Sequence, residues 1–180
     1  MGKKAARQVD PAANELKVQR AKNVVAHLHE VWTKGEDVAW EKGQDYNSIV
    51  DEALAKALGF RYTRELMAHE FCADYSQATL SAYGRVAKAF TQEQARKYKV
   101  TNLGKLLEYQ SVAHAGPTTG DPGQFPIRVP GKNGTTSDMP FSACSTRDIS
   151  AAIASFKGPR EGLPPEALDL KGKVAAALTA

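Results

Sequence analysis

Four polar residues recur at helical spacing in the middle of the chain. They are Gln77, Ser81, Arg85 and Lys88, and at about 100° per residue they fall within roughly 80° of one another on one helix face. Glutamine can bond the adenine edge in two places, arginine the guanine edge, and lysine or serine a phosphate. The stripe therefore has side chains suited to lying against duplex DNA.

The opposite arc of the same helix is apolar. Its members are Val86, Thr79, Phe90, Tyr83, Ala87 and Leu80. This division predicts a helix anchored by one face and exposed on the other. Ser76 is an N-cap type of residue, so we expect this second helix to run from Gln77 to Phe90. Gly84, beside the stripe, would let another backbone approach closely, and simple helix packing explains it equally well.

The run from Ser76 to Ala87 resembles the second-helix signature of bacterial helix-turn-helix DNA-binding proteins. It has a capping serine, a threonine followed by an aliphatic residue, then an aromatic and a basic residue. The resemblance covers residues 63–90, with Thr63 capping a first helix from Arg64 to Phe71. It implies base contacts by Gln77, Ser81 and Arg85 and phosphate contacts by Ser76 and Lys88. A structural helical hairpin with a solvated polar face is the alternative.

Further basic residues follow this helix. Arg96, Lys97 and Lys99 could bind flanking phosphates, which would add affinity without sequence information. A solvated helix end explains them equally well. Charge is also segregated along the chain: residues 35–75 carry 4 basic and 9 acidic groups, whereas residues 76–110 carry 6 basic and 2 acidic groups. Such a distribution favours a polyanion or an acidic protein as a partner.

The positions of capping residues, glycines and prolines predict a mainly α fold with an irregular C-terminal extension. We expect a basic start over residues 1–9, a helical domain over 10–115 and an extension over 116–180 for self or partner association. The first predicted elements are a helix from Pro11 capped by Asp10, an acidic turn at 38–40, and a helix capped by the box Ser48–Asp51 and ended by Gly59. After residue 90 we expect a helix following the box Thr91–Gln94 and another following Thr101. The extension should contain a β-hairpin, formed by 125–129 and the residues from 135 onward, and a helix over 148–156 capped by Ser145.

Other chemistry is sparsely represented. Cys72 and Cys144 lie in unrelated contexts, which predicts buried free thiols, although Cys144 ahead of a helix could in principle be a nucleophile. His27 and His29 point about 200° apart on one helix, so they cannot hold one metal from that helix alone. No phosphate loop, paired acid or serine triad signature is present. We therefore expect neither an enzyme nor a cofactor or metal.

These patterns predict a sequence-specific double-stranded DNA-binding protein of cytoplasmic, nucleoid-associated location, without a membrane span. One recognition helix contacts few base pairs, so a homodimer or other homo-oligomer is expected. Such a surface would serve transcription regulation or DNA maintenance, and residues 116–180 could bind a protein partner. The competing hypothesis is a scaffold protein that self-assembles or docks on an acidic partner.

Overall fold

A computed structural model describes residues 11–35, 38–71, 76–131 and 135–157. The fold is mainly helical with a small two-stranded antiparallel sheet, as the sequence predicts. Its helices are α1 (Pro11–Trp32), α2 (Ala39–Asp51), α3 (Leu54–Ala57), α4 (Thr63–Phe71), α5 (Gln77–Ala89), α6 (Gln92–Tyr98), α7 (Val100–Val112) and α8 (Thr146–Lys157). The strands are β1 (Pro126–Pro130) and β2 (Thr136–Pro140). The chain divides into two compact units, residues 1–107 and 108–180.

Local capping chemistry sets several helix ends where the sequence predicts them. The Thr91 hydroxyl accepts from the Gln94 amide while the Gln94 side chain accepts from the Thr91 amide, so the capping box at α6 is confirmed. At α8 the amide of Asp148 donates to Ser145 Oγ, and the Asp148 carboxylate accepts from the Ser145 amide at 2.9 Å. Both boxes satisfy amides that a helix start leaves unpaired.

The prediction for residues 38–58 is wrong. Residues 39 and 40 do not form a turn ahead of a helix at Ser48: α2 already begins at Ala39, and Ser48 lies inside its last turns. The break comes later, at Ala53, whose φ of 51° is left-handed. Gly43 and Asn47 are weak helix formers, so local propensity did not reveal α2. Contacts with α5, described below, hold these residues in the helix.

Smaller shifts occur at other ends. Thr101 does not cap α7, because the helix begins one residue earlier at Val100, after Lys99 with a φ of 65°. Thr63 is the first residue of α4, and the Glu65 carboxylate accepts from the amides of Arg61 and Tyr62 instead. Differences of one or two residues are usual at helix ends.

Leu103 and Leu106 of α7 are fully buried in the first unit. A cluster of buried side chains lies among α1 to α5 and includes one or more from each helix: Leu28, Ile49, Leu54, Leu66, Met67 and Leu80. In α1 the buried positions begin at Ala21, and residues 11–20 are almost entirely exposed. The amphipathic spacing of α1 therefore serves packing within the chain over its second half.

The second unit is organised around the β-hairpin. β1 and β2 pair antiparallel, with Arg128 opposite Asp138, which confirms the predicted hairpin. Ile127 and Val129 of β1 are buried, and α8 packs on this strand. The Arg128 amide donates to the Tyr109 hydroxyl at 2.9 Å, so the end of α7 holds the outer side of β1.

Several predictions fall outside the described residues. These are the basic start and the Asp10 cap, the segment Cys72–Tyr75 between the two predicted helices with the Cys72 thiol, the tip of the hairpin at 132–134, and the part of the C-terminal extension beyond residue 157. Within the described residues, no helix has both the length and the apolarity that a membrane span requires.

Candidate nucleic-acid interface

The start of α5 is fixed by its own cap. Ser76 is extended, with φ −124° and ψ 104°, and its Oγ accepts from the Thr79 amide at 3.4 Å. The Thr79 hydroxyl also donates to Ser76 Oγ, at 3.0 Å. The predicted cap is therefore confirmed, and Gln77 lies in the first helical turn, where a DNA-reading helix makes most of its base contacts.

The polar stripe of α5 is exposed, and its opposite face is buried. Gln77, Ser81 and Arg85 are exposed and have no hydrogen-bond or ion-pair partner among the residues that the structure describes. On the other face, Leu80 and Val86 are only 3% and 1% exposed. Thr79, predicted to lie on the apolar arc, is exposed instead. The arrangement leaves one amide, one hydroxyl and one guanidinium available to an external partner.

Lys88, the fourth member of the stripe, behaves differently. Its ammonium lies 2.8 Å from the Asp51 carboxylate at the end of α2. Both side chains are more than half exposed, so the ion pair is worth little and can exchange for another anion. Asp51 nevertheless adds a negative charge beside the stripe, which sequence order did not reveal because the two residues are 37 positions apart.

Two glycines let α5 approach α2 closely. A Cβ on Gly43 would lie 2.5 Å from the carbonyl carbon and oxygen of Tyr83, which is shorter than real Cβ contacts. A Cβ on Gly84 would lie 2.5 Å from the Asn47 amide oxygen. The alternative explanation of Gly84, a helix packing site, is thus confirmed.

Side chains of α2 donate to backbone carbonyls of α5 along this crossing. Trp40 Nε1 donates to the carbonyl of Phe90 at 2.9 Å, Gln44 Nε2 to that of Ala87 at 3.2 Å, and Asn47 Nδ2 to that of Gly84 at 2.9 Å. The pairs run in opposite directions along the two helices, so α2 and α5 are antiparallel. We call these three donors, one indole and two side-chain amides, the amide ladder. Together with the glycines they fix the C-terminal half of α5, from Tyr83 to Phe90.

The basic residues after α5 are exposed as well. Arg96 and Lys97 lie in the last turn of α6, and Lys99 follows it. The Lys97 ammonium lies 4.8 Å from the centre of the Tyr98 ring, a cation–π distance. Only two residues separate α5 from α6, so this basic group follows the stripe closely in the chain.

A cation that the sequence analysis missed lies near the start of α5. Lys42 of α2 lines a hollow of about 170 Å³ together with Ser76 and Thr79. Its ammonium donates to the Lys34 carbonyl at 2.6 Å, and burial lowers the pKa of Lys42. No local signal marks this residue, because it lies in the acidic segment and comes near α5 only through the fold.

The histidines are held by separate carboxylates. His27 Nδ1 lies 2.7 Å from Asp45 Oδ2, and His29 Nε2 lies 3.1 Å from Glu70 Oε2. Burial raises the pKa of Asp45, an effect that His27 opposes. Across residues 11–35, 38–71, 76–131 and 135–157, no group of three His, Cys, Asp or Glu side chains could hold a metal ion.

The Cys144 thiol differs from the expectation in two ways. The residue is only partly buried, whereas a buried thiol was expected. Its partial burial and the nearby Asp148 carboxylate both raise the pKa of the thiol. A raised pKa lowers the thiolate fraction at neutral pH, whereas a nucleophile needs the opposite. The structure therefore gives the thiol-nucleophile alternative no support.

No protein-family model matches the chain, and neither characterised proteins nor solved structures show a significant match to it.

Proposed function

We propose that this protein binds double-stranded DNA through α5, with the exposed stripe facing the major groove. The observation that carries the proposal is the division of α5 described above. The side chains of Gln77, Ser81 and Arg85 are exposed and without partners among the described residues. The amide ladder fixes the adjoining face of the helix. A rigidly held helix with free polar side chains is what direct reading of base edges requires.

The side chains divide into two roles. Gln77, Ser81 and Arg85 read base edges, since their amide, hydroxyl and guanidinium groups have the matching donors and acceptors. Residues that supply charge or a helix start contact the phosphates: Ser76, Lys88, Arg96, Lys97 and Lys99. Lys88 must exchange Asp51 for a phosphate to do so.

The proposal does not depend on a helix-turn-helix. α5 packs most extensively along α2, and the segment between α4 and α5 lies outside the described residues. The helix-turn-helix and the homodimer stay predictions. Two copies on a symmetric site would give the specificity that one helix lacks.

Binding to duplex DNA across a salt series tests the proposal. A preferred sequence is first selected from a random duplex pool, and affinity is then measured by fluorescence anisotropy. For a DNA-binding protein the logarithm of the association constant falls linearly with the logarithm of salt concentration. Arg85→Ala should weaken binding to the preferred duplex by about ten- to a hundredfold, and Gln77→Ala should relax the choice of base.

A matched control distinguishes binding through α5 from a general effect of positive charge. Arg147→Ala removes the same charge from an exposed position in the second unit, and it should leave affinity near the wild-type value. Lys97→Ala should reduce the salt slope by about one without changing sequence preference. If the wild-type protein does not bind duplex DNA even at low salt, the proposal is wrong.

A scaffold protein is the second candidate, favoured by the exposed half of α1. Residues 11–20 carry almost no buried side chain, and Leu16 is 73% exposed, so this half could pair with another subunit. Attraction between the acidic residues 35–75 of one copy and the basic residues 76–110 of another is a weaker argument for self-assembly, because Lys88 and Asp51 already pair these segments within one chain. A large assembly in sedimentation together with no DNA binding would favour this candidate.

A further inference from the structure

A second surface of the first unit has the features of a small-molecule site. It is an open groove of about 520 Å³ between α1, the end of α3 and α4. That volume is within the usual range for small-molecule ligands. The groove is lined by Lys22, Val25, Ala26, His29, Leu58, Phe60, His69 and Glu70. None of these residues belongs to the α5 stripe.

The apolar floor of the groove is built by the end of α3. Gly59 has a φ of 87°, its amide donates to the Lys56 carbonyl, and the Phe60 amide donates to the Ala55 carbonyl. This pair of bonds is a Schellman motif, which turns the chain sharply and packs the following apolar side chain back on the helix. The half-buried Phe60 ring thereby forms the floor of the groove beside the buried Val25 of α1.

One carboxylate organises the polar side of the groove. Glu70 Oε2 lies 3.1 Å from His29 Nε2, and Glu70 Oε1 lies 3.1 Å from His69 Nδ1. The hydrogen bond with His29 is the main cause that lowers the pKa of Glu70, so this carboxylate is ionised at neutral pH. Each of its oxygens contacts one imidazole, and Glu70 therefore orients the two rings.

The imidazole rings are also held by aromatic contacts. His29 stacks on Phe71 with ring centres 4.3 Å apart, and His69 lies 5.2 Å from Phe60. Each ring uses one nitrogen on Glu70, which leaves Nδ1 of His29 and Nε2 of His69 for another hydrogen bond. The groove thus presents two positioned nitrogens above an apolar floor.

Lys22 supplies an unpaired cation to the groove. Its side chain is exposed at the rim, and it has no acidic partner among the described residues. Glu70 contacts the two histidines and not Lys22, so the Lys22 ammonium is available to a ligand at this site. A ligand that complements the groove has a flat apolar body for Phe60 and one negative charge for Lys22.

We propose that this groove binds a small aromatic carboxylate, with the ring against Phe60 and Val25 and the carboxylate on Lys22. The two free imidazole nitrogens bond polar substituents of the ring. This site is separate from the proposed DNA interface and does not depend on it, so either can be refuted alone.

Matched probes test the charge requirement. Naphthalene-2-carboxylate and its neutral amide have the same ring, and isothermal titration calorimetry measures the affinity of each for the full-length protein. The carboxylate should bind more tightly than the amide. Lys22→Gln should weaken carboxylate binding by about fivefold, as expected for an exposed ion pair, and leave amide binding unchanged. Lys17→Gln, on the same helix and equally exposed, is the control and should change neither.

The location is tested by amide chemical shifts and a floor variant. Shifts on carboxylate addition should concentrate in α1, α4 and the residues around Phe60, and Phe60→Leu should weaken both probes while keeping an apolar side chain in the core. Equal binding of amide and carboxylate overturns the proposal, as does an unchanged affinity in Lys22→Gln. Shifts at the groove that depend on protein concentration alone would show that a second copy of the chain covers it, which also overturns the proposal.

Discussion

The close crossing of α2 and α5 gives the sharpest prediction about stability. Gly43→Ala would place a Cβ 2.5 Å from the carbonyl carbon and oxygen of Tyr83. These are backbone atoms, so no side-chain rotation relieves the contact. Since ordinary contacts begin near 3.4 Å, the two helices must separate by roughly 1 Å at this point.

The expected loss of stability follows from three effects. Overpacking of this kind costs about 1–3 kcal/mol. Separation also stretches the amide ladder, whose present distances are 2.9 to 3.2 Å, and each lost hydrogen bond costs about 1 kcal/mol. Alanine is a better helix former than glycine by about 1 kcal/mol, which opposes both effects. With two of the three ladder bonds lost, the sum predicts that Gly43→Ala lowers the free energy of unfolding by about 2–4 kcal/mol.

Gly104→Ala is the matched control. Gly104 also lies inside a helix, α7, but a Cβ there would meet only Val86 Cγ2, at an ordinary 3.8 Å. This variant should gain up to about 1 kcal/mol from helix propensity. Urea unfolding followed by tryptophan fluorescence measures both variants, because Trp32 and Trp40 both lie in the first unit. A midpoint for Gly43→Ala equal to or above that of Gly104→Ala would refute the close-crossing argument.

Three further predictions concern charge, backbone strain and thiol reactivity. Asp51→Asn should release Lys88 to phosphate and steepen the salt dependence of DNA binding by about one unit of slope. The control Glu52→Gln removes the partner of Arg20 and should steepen it less, and an unchanged slope in Asp51→Asn contradicts the prediction. Gly59→Ala should lower the free energy of unfolding by about 1 kcal/mol because of its positive φ, while Gly35→Ala, also in open space, should not. In a Cys72→Ser background, Cys144 should react with iodoacetamide more slowly than glutathione does near pH 8, because burial and Asp148 raise the pKa of the thiol. The rate should rise at a higher pH, and a reaction faster than that of glutathione near pH 8 would restore the nucleophile hypothesis.

Features set by neighbouring residues could be predicted from the sequence. The Ser76 cap, the Thr91 capping box and the hairpin each depend on hydrogen bonds between residues close in the chain. The exposure of Gln77 and Arg85 followed from helical periodicity, since the apolar arc opposite them had to be buried. In these cases local chemistry and the fold agree.

Features set by distant residues could not be predicted. α2 contains Gly43 and Asn47, which favour a break when the segment is taken alone, but both are required where α5 crosses. The Lys88–Asp51 ion pair and the approach of Lys42 to Ser76 likewise join segments that are far apart in sequence. The Ser48–Asp51 pattern resembled a cap because nothing local distinguishes a serine at a helix start from one inside a helix.

The amide ladder bears on how α5 can be used. Inside the helix, the carbonyl of Gly84 can also accept from an amide one turn later, and the Asn47 donor uses its second lone pair. The carbonyl of Phe90 lies past the helix end, where backbone acceptors need a partner, and Trp40 supplies one. Rotation or sliding of α5 would break these bonds together, so the helix has one position on α2. The helix is therefore presented in one orientation before any partner arrives, and binding has to order the side chains of the stripe but not the helix that carries them.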